Sequence, residues 1–526
     1  MRRSWLFIAA SAATAVLPAL AAGQSLAAAT HPALAHHPRA LLVCNGSTTP
    51  CPAGARHYIT IQAAVTAARP GDWVLIWPGV YHEKSTAWPD AGVWVSTPGI
   101  HIRGLDRNTV IIDGSNGSAS HPCPASPKLQ DHNAGVGRNG IEVWKASGVT
   151  IQNLTVCDYL SGSGRTGNEI WWNGGDGSGR LGLGSYRGSY LTATSMYGHR
   201  PGNPGLAQYG IFVSNARGPG VISRSYASNM ADAAYYVGAC QRECNTLLTL
   251  DRGTNSALGY SGTNAGGHLV IRDSVFDHNR TGLAPNSLNN DDAPPPQDGR
   301  CPGSATRSCL IIEHNLIMGN NDANVPTSGL KPAIGTGVEI SGGAFDTVRG
   351  NLIADQGSWG VITHDYPDLE TPPPGSHCQG GIQLSPGLCL FTAHGNLVYR
   401  NVFARDGFFG NATNGDLATV GLLAQSATPR NCFFGNTARG GRLTSEPAHI
   451  QRASVDGRPC GKPGTSVDGA LVGQLICATG ATGLGTCPAG SHYPKQTAIV
   501  MAPLPHLPTM PGPCAGVPAN PFCKHR

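Results

Sequence analysis

Short apolar runs closed by Gly, Asn or Ser recur along the middle of the chain, and they are of two kinds. The first kind is GVISRSYASN (220–229), LVIRDSVFDHN (269–279), LIIEHNLIMGN (310–320), DTVRGNLIADQ (346–356) and NLVYRNVFARD (396–406), which superpose with Ser225, Ser274, Asn315, Asn351 and Asn401 in one column. The second kind is NGIEVWK, YGIFVSN, TGLAPNS, TGVEISG and WGVITHD, opening at Gly140, Gly210, Gly282, Gly337 and Gly360. Gly337 and Gly360 are 23 residues apart, which is one bare turn of the repeat. Strand-length runs in one recurring order, with no helices between them, predict a parallel solenoid whose coils stack on one another. A β-sandwich predicts hairpin turns and a switch of sheets instead. In a solenoid, a column of Asn at a bend can hydrogen-bond along the stack while apolar ladders fill the interior.

Side-chain alternation along a strand then assigns faces. Counting from each glycine of the second kind, the first and third positions (Ile141/Val143, Ile211/Val213, Val338/Ile340) point inward. The second and fourth point outward: Glu142/Trp144, Phe212/Ser214, Ala284/Asn286, Glu339/Ser341 and Ile362/His364. Before the repeats, YITIQAAVTAARPGDWVLIWPGVYHE (58–83) reads as a short amphipathic helix N-capped by Thr60. Its apolar face is Ile61, Ala64, Val65 and Ala68, and Pro70-Gly71 stops it ahead of a strand from Trp73 to Trp77. Such a helix can cover the unpaired strand edges at one end of a stack.

Composition places the solenoid outside the cell. Residues 1–29 carry Arg2-Arg3, an apolar run and small residues near Ala19–Ala22, the pattern of a secretory signal peptide. No later run approaches the ~20 apolar residues a bilayer-spanning helix needs. Sixteen cysteines follow, many in close pairs (Cys44/Cys51, Cys240/Cys244, Cys301/Cys309, Cys378/Cys389, Cys477/Cys487, Cys514/Cys523), as expected of loop-stapling disulfides in an oxidising compartment. The formal charge of +5 falls to +3 without the two signal arginines, and no basic run stands out. Nucleic acid is therefore not an expected partner. The expected organisation is a signal peptide (1–29), a connector (30–54), the solenoid (55–430) and a disulfide-rich C-terminal cap or covering segment (431–526), in a monomer.

The stretch IQAAVTAARPGDWVLIWPGVYHE resembles the opening of secreted right-handed parallel β-helix proteins of the pectin-lyase-like group, and the resemblance extends over roughly residues 55–415. It implies an all-β fold, a right-handed parallel β-helix with a short N-terminal capping helix and a Cys/Pro-rich C-terminal segment. The group hosts pectate lyases, alginate lyases and epimerases, glycoside hydrolases and non-enzymatic adhesins, so it implies polysaccharide as partner without choosing a reaction.

Loop lengths select the candidate site. Long insertions leave the strand ends at 286–309 and 365–394, while the coil between them turns at once through SGGA (341–344). Two walls flanking a bare coil make a groove with Glu339 and Ser341 in its floor, and a third insertion (321–335) brings Lys331. Uronate β-elimination or epimerisation needs a base, an acid and a cation on the sugar carboxylate. His364 fits the base, Tyr366 the proton donor, and Lys331 or a bound Ca²⁺ the neutraliser, with Asp291, Asp292 and Asp365 as hard oxygen ligands. WGVITHD resembles the epimerase motif YG(F/V)DPH(D/E) at Gly360, His364 and Asp365, but has Ile362 in place of the catalytic aspartate and Thr363 in place of proline. Glycoside hydrolysis needs two carboxyls about 5.5 Å apart for retention or roughly 6.5–9.5 Å for inversion, for which Glu339 and Asp365 are candidates. A non-catalytic glycan binder would use Trp144, Trp171, Trp172 and Trp359 as stacking surfaces. Arg272, Glu313 and Arg349 read as alternating charges stacked across neighbouring strands.

Overall fold

The structure, a computed structural model, describes residues 37–524 except 85–89, 132–134, 200–204, 241–242, 289–309, 330, 369–377, 379–380, 423–430, 452–467 and 482–484. The expected signal peptide, the Cys301/Cys309 pair, Asp291 and Asp292 lie outside the described residues.

Each coil contributes one strand to each of three parallel sheets: sheet A with 12 strands, sheet B with 11 and sheet C with 11 among the described residues. One coil is Gly220–Ser223 (A), Tyr226–Ser228 (B) and Ala233–Gly238 (C), and the next pairs beneath it with Gly220 opposite Thr246, Tyr226 opposite Arg252 and Ala233 opposite Leu258. This is a right-handed parallel β-helix, the hand that twisted parallel strands favour. The strands opening near Gly282, Gly337 and Gly360 are consecutive neighbours in sheet C, as the repeat spacing predicts. Inward positions behave as expected, with Ile141, Val143, Val338 and Ile340 fully buried. The stack is longer than expected at both ends. Ala40–Val43, within the expected connector, pairs with Trp73–Ile76, and Ser445–Glu446, within the expected cap, pairs with the strand Gly415–Val420. These terminal strands carry no copy of the repeat signature; the first is held by edge pairing and by Leu41 and Val43 in the coil core and Leu42 beside Leu75.

The bends between sheets A and B carry the Asn column. Asn315 Nδ2 donates to Asn351 Oδ1 (3.1 Å), Asn351 to Asn401 (3.0 Å) and Asn401 to Asn436 (3.0 Å). Each side-chain oxygen also accepts a backbone N–H from the preceding coil, as from Asn315 N to Asn351 Oδ1 (2.9 Å). Immediately before this column sits a column of left-handed residues: Arg224, Leu250, Asp273, His314, Gly350, Arg400 and Gly435. Only Gly350 and Gly435 adopt that conformation without steric cost. A second column runs Asn279, Asn320, Gln356 and Asp406 at the bend from B to C.

The N-terminal end is closed as predicted. Helix α1, Ile61–Ala67, has Thr60 Oγ1 accepting from Ala63 N (3.3 Å) and buries Ile61, Ala64 and Val65 in the same core as the coil interiors. Its free amides at Ile61 and Gln62 donate to the Glu83 carboxylate. Disulfides Cys44–Cys51, Cys240–Cys244, Cys378–Cys389, Cys477–Cys487 and Cys514–Cys523 form as the close spacing suggested. Cys123–Cys157 also forms, tying a loop to the following coil across 34 residues.

Leu443 and Ile450 of the C-terminal segment pack against the coil interiors at the end of the stack, and the described residues from Asp468 onward lie along its side. Helix α2, Gly469–Thr479, N-capped by Asp468, lies against the outer face of sheet C. The remaining chain runs back along the solenoid as a strap. Val500 N donates to Asn324 O, and Ala502 exchanges two hydrogen bonds with the Asn229 side chain. Leu504 packs on Val80, Ile111 and Cys157 of sheet B. Leu507 N bonds Asn108 Oδ1 and Met510 N bonds Asn153 Oδ1 at the A–B bend. Finally Arg103 Nη1 donates to Ala515 O, and Phe522 is buried among Leu42, Leu75 and Leu105 on the outside of sheet A. The strap thus links the last-made segment to the first coil. Replacing Phe522 with Ala removes its anchor at a cost of about 3–5 kcal/mol, and limited proteolysis of the variant is expected to cut within 503–524 while leaving the coils intact.

Several carboxyls occupy column positions that Asn fills elsewhere. Asp251 Oδ1 accepts from Ser225 N (2.8 Å) and Asp406 Oδ1 from Gln356 N (2.9 Å), while Asp251 Oδ2 and Asp406 Oδ2 are buried with no hydrogen-bond partner. Burial pushes both up to about 8 against the pull of the backbone amides that bond them, and Asp346 is pushed to about 7 by the same cause. A protonated carboxyl resembles the carboxamide of the column. The folded state therefore keeps protons that the unfolded chain loses near pH 4, so stability is greatest at low pH and is lost as pH rises through about 7–8. The thermal midpoint is expected to fall between pH 5 and pH 8, and Asp251→Asn with Asp406→Asn is expected to flatten that fall.

Candidate functional site

The outer face of sheet C divides into two halves. In the N-terminal half, Trp94, Glu142, Trp171, Phe212 and Tyr236 stand in register on five consecutive coils. Beside them run Trp144, Asn173 and Ser214. The rings organise one another: Trp94 stacks on Trp144 (centroids 5.5 Å apart, 27°), Trp171 on Phe212 (4.8 Å, 6°), and Tyr209 meets Phe212 at 4.5 Å. Trp171 Nε1 donates to Ser214 Oγ (3.1 Å), which fixes the plane of the indole. Trp94, Trp144, Trp171 and Tyr209 remain partly exposed, whereas Phe212 and Tyr236 are buried beneath them. Of the four tryptophans expected to stack on sugars, Trp144 and Trp171 lie on this face. Trp172 points inward and is fully buried, and Trp359 is buried under the covering segment with Nε1 donating to Thr413 O.

Glu142 sits between Trp94 and Trp171. Its two oxygens accept from Asn139 Nδ2 (2.6 Å) and Asn173 Nδ2 (2.9 Å). Burial pushes the carboxyl up to about 7; the Asn173 bond opposes this, the charge of Asp90 adds to it, and Arg165, paired with Asp90 at 2.6 Å, partly offsets it. A carboxyl so poised exchanges a proton near neutrality. Alternation marks Glu142 as outward in the sequence, but its flanking by two tryptophans depends on the register of Trp94, whose coil carries no repeat signature.

The C-terminal half of the face holds the residues that the loop lengths selected. Glu339 and His364 share a face, one coil apart, with Glu339 Oε1 3.2 Å from His364 Nε2 and Ser341 Oγ 2.8 Å from the same nitrogen. His364 Nδ1 lies 2.9 Å from the Asp365 carbonyl, which only accepts, so this nitrogen carries a proton. Burial alone would lower the His364 pKa, but the Glu339 carboxylate and the Asp365 carbonyl outweigh it and raise it, favouring imidazolium. Glu339 Oε2 accepts from Ala333 N (3.0 Å). Exposure is 4% for Glu339, 6% for His364 and 3% for Asp365, so the expected groove floor is covered. Outward Ile362 and Ala418 require that cover: with Trp359 they pack against Leu471 and Ala478 of α2 and Ala323, Ala333 and Ile334 of the 321–335 insertion.

Asp365 turns away from His364, its oxygens accepting from Ala393 N (3.0 Å) and Leu422 N (2.8 Å). Each Asp365 oxygen thus already serves a backbone amide, and among the described residues no group of three or more His, Cys, Asp or Glu is placed to hold a metal. Tyr366 lies on a strand, Tyr366–Asp368, that pairs antiparallel with Leu388–Phe391 in a small hairpin sheet. Lys331 stands beside Arg280, whose charge adds to burial in lowering its pKa. Arg349 bonds Glu313 (2.7 Å) in the expected charge column of sheet A.

No protein-family model matches the sequence, and no curated protein does. Among solved structures the chain is similar to the A-module of the Azotobacter vinelandii mannuronan C-5 epimerase AlgE4 (13% identity, TM-score 0.40, covering 79% of this chain and 98% of that one). It is also similar to a mannuronic acid specific polysaccharide family 6 lyase from human gut microbiota (15%, 0.42, 81% and 95%). A third is the GH136 lacto-N-biosidase from Eubacterium ramulus (11%, 0.43, 79% and 67%). Likenesses of this strength do not carry an activity from one chain to another; the class of this protein, a parallel β-helix, rests on its own strand pairing.

His364→Ala leaves the Glu339 carboxylate buried without its partner. Denaturant unfolding is expected to show a loss of about 3–5 kcal/mol, well beyond that of Ser341→Ala.

Proposed function

We propose that this is an exported polysaccharide-binding β-helix whose glycan lies along the outer face of sheet C over Trp94, Trp144 and Trp171. The observation that supports it is the row of partly exposed rings on a rigid sheet, Trp94 stacked on Trp144 and Trp171 on Phe212. Sugar rings present flat C–H faces to aromatic planes, and the exposed Arg165 offers N–H donors to hydroxyls at the margin. Coils repeat at about 4.8 Å, close to the length of one sugar unit, so successive rings can meet successive sugars. Disulfides distributed along the chain support an oxidising compartment, and no helix among the described residues is long and apolar enough to cross a membrane.

Catalysis on that face is a second reading, favoured by one observation: Glu142 stands in register between Trp94 and Trp171, 2% exposed, and burial raises its carboxyl to about 7. It would serve as the acid that protonates a leaving sugar oxygen, in hydrolysis or elimination. The Glu339–His364 pair then has a structural role, holding the insertion beneath α2.

Titration of pectate, alginate and neutral glycans onto wild type and Trp171→Ala is expected to show about a tenfold affinity loss in the variant, with circular dichroism unchanged. Equal binding by both proteins rules this face out. The same mixtures report catalysis: reducing ends indicate hydrolysis and added ultraviolet absorbance indicates elimination, and Glu142→Gln is expected to abolish either while retaining binding.

A further inference from the structure

A cavity of about 1080 Å³ opens between the end of α2, the 321–335 insertion and the start of the strap, and its described lining carries four basic side chains and no carboxylate. Arg280, Lys331 and Lys495 supply the charge, His492 adds an imidazole, and Phe409 and Tyr493 supply two rings at 6.1 Å and 88°. The volume is just above the usual range of small-molecule sites, about 300–1,000 Å³.

The arrangement is built, not incidental. Arg280 leaves the bend that precedes its sheet C strand and is 4% exposed. It donates from Nε to Pro332 O (2.8 Å) and from Nη2 to Ala478 O (2.8 Å), so both partners are neutral carbonyls. The carboxylate near it is Glu339, which is already bonded to His364 and to the Ala333 amide. Lys331 is half-buried beside this guanidinium, and no described carboxylate forms an ion pair with Lys331 or Lys495. Holding two cations together out of water costs free energy that an anion between them recovers. Tyr493 is fixed by hydrogen bonds to Gln474 (2.9 Å) and Asn414 (3.2 Å), and its ring braces Phe409.

We propose that this cavity binds the carboxylate of an acidic sugar, with Lys331 and Arg280 facing the carboxylate, Lys495 at the mouth, and Phe409 and Tyr493 against the sugar ring. The proposal deepens the polysaccharide reading by naming uronates as the substrate class, and it rests on that reading for its biological meaning. The coil that carries Arg280 is the fourth along sheet C from that of Trp171, roughly 19 Å at the spacing of paired strands. A uronate chain that lies on the rings and continues over that length places an acidic residue at the cavity.

The test is calorimetric titration of the full chain with galacturonate, galactose and inorganic sulfate. Galacturonate is expected to bind, galactose not to bind, and sulfate to bind more weakly than galacturonate. Lys331→Met with Lys495→Met is expected to weaken galacturonate at least tenfold. The exposed Lys495→Met alone, which touches no packed contact, is expected to weaken it two- to fivefold. No galacturonate binding by wild type, unchanged binding by both variants, or sulfate binding more tightly than the uronate would overturn the proposal. Trp171→Ala separates the two readings, because it should leave galacturonate titration unchanged while reducing polysaccharide binding. If polysaccharide binding survives in that variant, the sheet C face fails and the cavity stands on the galacturonate result.

Discussion

The stacked carboxamide at the bend is the interaction on which the rest of this structure depends. A β-helix turns three times per coil, and each turn leaves backbone N–H groups facing inward with no strand to pair them. Asn315, Asn351, Asn401 and Asn436 solve this at the bend between sheets A and B, each accepting a backbone amide from one neighbour, and the first three donating to the next member of the column. The geometry demands a left-handed residue just before it, and non-glycine residues such as His314 and Arg400 accept that conformation because the column fixes everything around them. Where aspartate stands in for asparagine, as at Asp251, the column selects the protonated form that best imitates a carboxamide.

A rigid stack makes its outer faces the variable part. Sheet C shows both uses of such a face. Over its first coils the outward residues are aromatic with polar neighbours, and rings stack on rings with edges left open. Farther on, Ile362, Ala418 and Val420 face outward, and apolar residues in that position need a cover, which α2 and the 321–335 insertion provide. Glu339 and His364 are consequently sealed under a lid and become an ion pair that ties two coils together. Between the end of α2, the 321–335 insertion and the strap, Arg280, Lys331 and Lys495 gather with no carboxylate among the described lining residues. The cover over this half thus also forms the cavity.

The parts of the fold that come from period and alternation were legible in the sequence. The Ser/Asn column from Ser225 to Asn401, the inward pairs such as Val338/Ile340, the Thr60-capped helix and the adjacency of the Gly337 and Gly360 coils depend only on neighbours within a coil or one coil away. The candidate site was legible in part: the Glu339–His364 proximity follows from the same register. Its burial did not, since the lid comes from a helix more than a hundred residues later, and a sequence pattern does not state where a distant amphipathic segment will land. Trp172 and Trp359 were likewise ambiguous, because one sits a single residue from an outward position and the other lies beneath that lid.

By itself the sequence determined a coiled, parallel, helix-capped solenoid, because strand period, turn residues and bend columns are local and repeat. Only the tertiary structure decided which outward faces meet solvent. That depends on where α2 and the strap return along the stack, through contacts such as Phe522 on the first coils and Ala478 on Arg280. Those contacts join residues hundreds of positions apart and are selected by the shape of a surface that exists only once the coils have stacked.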